Sequence, residues 1–172
     1  IAPEADWLQV SECSYGMIGR MQAEHAPATG LLPDYILDPA SDSPEPAPPD
    51  FLEDEQDGTY HYNACRTPWR IGIHFLTTGD LRSRAAVGAM SDWFESEAGG
   101  DPNEIRAGYE LDGSPLPGSG YSSLAFVAPV GVAAMADGGS QVWVDALWDA
   151  VTEPGMESEY YEDTLKMLAM IA

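Results

Sequence analysis

Apolar side chains return every three or four positions over much of this chain, the period of a helix with one buried face. Residues 4 to 25 make the first such stretch, carrying Trp7, Leu8, Val10, Tyr15, Met17, Ile18 and Met21, and APATG closes it. A second helix is predicted to begin near Ala64, with Pro68 close enough to the start to be tolerated, and to end at TTGD, 77–80. Asp80 or its neighbour is placed to cap a third over 81–97, whose buried side holds Val87, Met90, Trp93 and Phe94. The stretch 124–136 reads as an apolar helix in which Ala125, Ala128, Gly131, Ala133 and Ala134 let neighbouring helices come close. Residues 140–151 and 160–171 complete an all-α series.

Between these stretches the period fails. Residues 38–58 hold Pro39, Pro44, Pro46, Pro48 and Pro49, which deny helix hydrogen bonds, followed by Asp50, Glu53, Asp54, Glu55 and Asp57. A long loop of this kind in a compact domain is usually functional or disordered. Aromatic residues at both of its ends favour function. The segment GYELDGSPLPGSGYSS, 108–123, is a turn-rich hairpin or loop, and strand content is expected to be slight.

Composition narrows the picture. At 172 residues the chain fits one domain, 1–172, with a long acidic, Pro-rich loop at about 38–60. A hydrophobic fraction of 44% with five Trp and eight Tyr argues for a folded core. The formal net charge is −22, from 29 Asp plus Glu against seven basic residues, and Lys166 is the one lysine. Such a field repels nucleic acid and anionic membranes and suits a cationic ligand or a salty medium. No stretch reaches the roughly 18 apolar residues that span a bilayer, and IAPEADWLQV has neither a basic n-region nor an apolar h-region. The ends IAPE and AMIA read more as cuts than as natural termini. Cys13 and Cys65 allow one disulfide or two thiols.

Among chemical motifs, GxSxG, HExxH, P-loop and GxGxxG patterns are missing, and His25, His61 and His74 are too scattered to suggest a metal. No cofactor is expected. FLEDEQDGTYHYNACRTPWR, 51–70, instead joins acids to aromatics and arginine at a helix start. That combination suits a carbohydrate site, where rings stack on sugar faces, arginine fixes hydroxyls, and two carboxylates divide acid and base roles.

Five blocks, TGLLPDYI (29–36), YHYNACRTPWRIGIHFLTTGD (60–80), GYELDGS (108–114), SSLAFVAPVGVAAM (122–135) and EYYEDTLKMLAMIA (159–172), resemble glycoside hydrolase family 8 in that family's order. The resemblance implies an (α/α)6 barrel of which this chain is roughly the C-terminal half, acting on β-1,4-linked glucan or chitosan with inversion, in a secreted protein. It also implies that the general acid lies in an N-terminal half that is absent here. VSECSYGM, 10–17, looks like the family's acid motif, but its place just before TGLLPDYI makes Glu12 an exposed helix residue. Many members have an aspartate base where this chain has Asn63, and an amide cannot accept the proton of water. A branch of the family with asparagine there carries its base on the preceding loop. On that pattern Glu53 is the first candidate, with Phe51 and Leu52 anchoring the loop, and Glu55 the second. Asp54 and Asp57 are expected to stay in water. Asn63 would orient the attacking water, Arg66 would hold that water or the loop carboxylate, and Tyr62 with Tyr160 or Tyr161 would contact sugar. The competing reading is a non-catalytic carbohydrate-binding or scaffold fragment.

Overall fold

The computed structural model describes residues 6–153 and 159–172, and six helices carry most of them. They are α1 (Trp7–His25), α2 (Thr67–Thr78), α3 (Leu81–Glu97), α4 (Leu124–Asp137), α5 (Gln141–Thr152) and α6 (Tyr160–Met170). Residues 4 and 5 of the first predicted helix lie outside the described residues. Extended structure is limited to a two-residue antiparallel pair, β1 (Ile36–Leu37) with β2 (Glu45–Pro46), and isolated bridges among the described residues.

Local chemistry sets the helix boundaries. The side chains of Asp80, Ser123 and Ser140 accept from the first free N–H groups of α3, α4 and α5. Gly79 and Gly138 end α2 and α4 in the left-handed conformation, at φ 72° and 69°. Pro68 sits in the first turn of α2, where its missing N–H costs nothing.

Helix α4 is the centre of the bundle and touches α2, α3, α5 and α6. Its apolar sequence is free of charge until Asp137, so it has no solvent face to offer, and Ala125 through Val130 are all buried. Against it, Gly72 of α2 permits close backbone approach, since a Cβ there would stand 3.0 Å from the carbonyl oxygen of Val132. On α3, Val87, Met90 and Phe94 are fully buried, while Trp93 is partly buried and meets Tyr109 edge-on at 5.0 Å.

Not every periodic apolar face is covered. Trp7, Leu8 and Val10 of α1 are exposed, as are Val142 and Trp148 of α5. Met135, Val144, Trp148 and Met170 line an apolar groove of about 110 Å³ where α4, α5 and α6 meet. No described helix is long and apolar enough to cross a membrane.

The two long loops are joined near the N-terminal end of α2. Tyr60 and Tyr109 exchange backbone hydrogen bonds of 2.9 and 3.0 Å, which fixes the chain just before His61, Tyr62 and Asn63.

Candidate active site

Asp34 organises the turn that enters α2. Its carboxylate accepts from the backbone N–H groups of His61 at 3.0 Å, Asn63 at 3.0 Å and Ala64 at 2.6 Å, groups at a helix start with no intrahelical partner. Burial raises the pKa of Asp34, and these three donors only partly offset it.

That turn presents Asn63. Arg66 grips it twice, through Nε to the backbone carbonyl at 3.0 Å and through a terminal nitrogen to Oδ1 at 2.7 Å. With its oxygen so engaged, the amide turns its nitrogen the other way, where Nδ2 donates to the Glu53 carboxylate at 2.8 Å and to the Tyr35 hydroxyl at 3.3 Å. The Tyr35 hydroxyl, 3.3 Å from that same nitrogen, acts on Glu53 as well. These contacts, Tyr35 first and Asn63 second, hold Glu53 below the usual glutamate range, against burial and the charge of Asp57 and with a further pull from Arg66. The Tyr35 phenol is pushed up to about 12, chiefly by its bond to Glu53.

The loop that carries Glu53 is built around Asp57. The expectation that Asp57 stays in water is corrected here: the residue is 1% exposed, and its carboxylate accepts from Leu52 at 2.6 Å, Glu53 at 3.1 Å and Asp54 at 3.2 Å. Burial pushes its pKa up, but the N–H groups of Leu52, Glu53, Asp54 and Phe51 outweigh it, and the net shift is downward. Phe51 and Leu52, expected to anchor the loop, are instead exposed. The reason is accounting of backbone groups: a tight turn leaves several N–H donors converging on one point, and one carboxylate satisfies them together. Gly58 closes the loop, since a Cβ there would fall 2.2 Å from the Ala47 carbonyl oxygen.

The remaining candidates separate. Tyr62 lies beside Asn63, with its hydroxyl 3.0 Å from that of Tyr121, and burial together with that contact holds it protonated. Tyr161 packs edge-on to Tyr62 and donates to its backbone carbonyl. Tyr160 is 85% exposed and stands apart. Glu55 is exposed and lines a neighbouring groove with His61 and Tyr121. Glu12 is an exposed residue of α1. Cys13 and Cys65 are both free thiols, and burial pushes that of Cys65 up to about 12. Asp34 and Tyr35 are residues that sequence reasoning passed over, although LLPDYI lies within a block that resembles the family.

Comparison with known proteins places this geometry. No family model matches the chain. It is 39% identical over 168 residues to a beta-glucanase of Niallia circulans, covering 98% of this chain and 40% of that protein. An endoglucanase of Bacillus sp. strain KSM-330 is 30% identical over 166 residues, covering 96% of this chain and 34% of the relative. The solved beta-1,3-1,4-glucanase of Paenibacillus sp. X4 superposes with a TM-score of 0.88 at 39% identity, over 96% of this chain and 43% of that one. A family 8 xylobiose complex from Teredinibacter turnerae shares the fold, with a TM-score of 0.71 at 19% identity, over 96% of this chain and 39% of that one.

The chain is similar to the C-terminal part of glycoside hydrolase family 8 enzymes.

It spans 34 to 43% of the length of these relatives, as their C-terminal part. Its helices are accordingly those of an (α/α)6 barrel, with α4 central to the portion present.

Proposed function

We propose that this chain forms the C-terminal part of a family 8 catalytic domain that hydrolyses β-linked glucan with inversion, and that Glu53 is its general base. The observation that carries this reading is the contact between Glu53 and Asn63. An amide at position 63 can donate but not take a proton, and it donates to the one loop carboxylate within its reach at 2.8 Å.

In inverting hydrolysis the base removes a proton from water as that water attacks the anomeric carbon, while an acid on the other side protonates the leaving oxygen. The two carboxyl groups stand roughly 6.5 to 9.5 Å apart, leaving space for the water. Glu53 is exposed and held ionised, as a base must be. Asn63 has N–H bonds to Glu53 and Tyr35 and its oxygen on Arg66, so in this reading it orients the base rather than the water. Arg66 acts one step further back, by fixing the amide. Tyr62 and Tyr161 form an aromatic wall beside the carboxylate, suited to a sugar face. The acid comes from the part of the domain outside this chain, whose helices would cover the apolar groove of α4, α5 and α6.

Beta-glucan is favoured as substrate by the relatives, which are named for it. Chitosan is the competing polymer, favoured by the charge of −22 and by the exposed Glu55 on the same loop. A protein acting on either polymer outside the cell would be secreted.

The test uses the complete domain on soluble mixed-linkage glucan and on chitosan, with product anomers followed by proton NMR. First-formed α-anomers from a β-linkage are expected, on glucan in preference to chitosan. First-formed β-anomers would exclude inversion and with it a base at Glu53.

A further inference from the structure

We propose that Tyr35 is a positioning residue for this reaction: its hydroxyl, shared between Glu53 and Asn63, fixes the Glu53 carboxylate in the orientation from which it takes a proton. The inference rests on the reading of Glu53 as base.

An exposed glutamate on a loop has several rotamers open to it, and a base serves only from one of them. A single donor leaves the carboxylate free to swing about that bond. Two donors from different elements do not. Asn63 supplies the first, from the turn before α2; the Tyr35 hydroxyl, on the segment before β1 and 3.3 Å from the same amide nitrogen, is placed to supply the second. The hydroxyl has one hydrogen. It accepts from Asn63 Nδ2 at 3.3 Å, which leaves that hydrogen for the Glu53 carboxylate and closes a ring of three side chains.

The backbone of Tyr35 is itself tied to the loop it serves. Its N–H donates to the carbonyl of Asp57 at 2.9 Å, and its carbonyl accepts from Ala47 at 3.0 Å, so the residue sits between the two arms of the loop. Its neighbour Asp34 holds the Asn63 turn through three backbone N–H groups. The dipeptide Asp34–Tyr35 therefore sets both sides of the site, one residue placing the amide and the other placing the carboxylate.

Charge supports the same arrangement. The groups facing Tyr35 are Glu53, Asp57 and Asp34, all acidic, and with the hydrogen bond they keep the phenol protonated and donating through neutral pH. Those facing Glu53 are Asp57, which opposes its ionisation, and Arg66, which favours it. Removal of the phenol hydroxyl takes away one of the influences that hold Glu53 below the usual glutamate range.

Tyr35→Phe in the complete domain is the test, assayed for kcat and KM across pH beside Glu53→Gln. The ring is kept, so the melting midpoint should match wild type. Expected for the Phe variant are a fall in kcat of roughly tenfold to a hundredfold, little change in KM, and an acid limb moved to higher pH. A raised KM with unchanged kcat would make Tyr35 a sugar-binding residue and overturn the proposal. An unchanged acid limb and kcat beside an inactive Glu53→Gln would overturn the Tyr35 role alone. Wild-type turnover by Glu53→Gln would remove the base reading and the positioning role together.

Discussion

The side-chain amide of Asn63 donates to the Glu53 carboxylate at 2.8 Å across ten residues of chain, while Arg66 holds the other end of the same amide at 2.7 Å. The residue that cannot act as a base is thus the one that points to the residue that can. Its substitution has two distinguishable outcomes.

Asn63→Ala should lower kcat with KM nearly unchanged, because Glu53 loses a donor but no sugar contact is removed. Asn63→Asp places two carboxylates in contact, where like charges share a proton and one pKa rises. Its activity should fall most steeply on the acid side of a pH–kcat profile. A gain in activity at all pH values would instead mean that position 63 is itself the place of the base.

Asp57 is the second point of leverage. Asp57→Ala removes the acceptor of three to four converging N–H groups, and the loop should become sensitive to limited proteolysis between residues 50 and 57 as kcat falls. The pH dependence follows from a depressed carboxyl: its contribution is fully present above the usual aspartate range near 4 and is lost only as pH falls through the lower folded value. Loop protection from protease should therefore persist through that usual range and disappear below it. Loss of protection at higher pH would show that another group holds the loop.

Ser123 joins two helices that frame the aromatic wall. It caps α4 by accepting from Ala125 at 3.2 Å, and it donates to Glu162 of α6 at 2.6 Å. Ser123→Ala should cost about 1–2 kcal/mol in denaturant unfolding of the complete domain, and Ser123→Thr should recover most of it. Equal losses in both variants would deny the capping role.

Helices were legible from the sequence because period and punctuation agreed. Pro68 and Gly79 mark boundaries by a backbone property that any environment would enforce, and Asp80 marks one by a side chain that accepts a free N–H at the start of α3. Side-chain burial was less legible. Trp7, Leu8 and Val10 have helical spacing, yet spacing does not say what covers a face, and here they are exposed. Phe51 and Leu52 looked like anchors because hydropathy ranks them above Asp57. The loop obeys a different constraint, the pairing of backbone N–H groups, which residue hydropathy does not register. Tyr35 escaped notice for a third reason: its contact with Asn63 crosses 28 residues and exists only once the Asp34 turn is formed. Glu53 and Asn63 were singled out together through the family pattern, and the structure adds the atoms by which they touch.

Glu53→Gln, compared with Glu55→Gln in the complete domain on β-glucan, bears most directly on the base. A drop in kcat on the order of a hundredfold to ten-thousandfold is expected for Glu53→Gln, with oligosaccharide binding retained and Glu55→Gln close to wild type. Wild-type turnover by Glu53→Gln, or a loss confined to Glu55→Gln, would contradict the account.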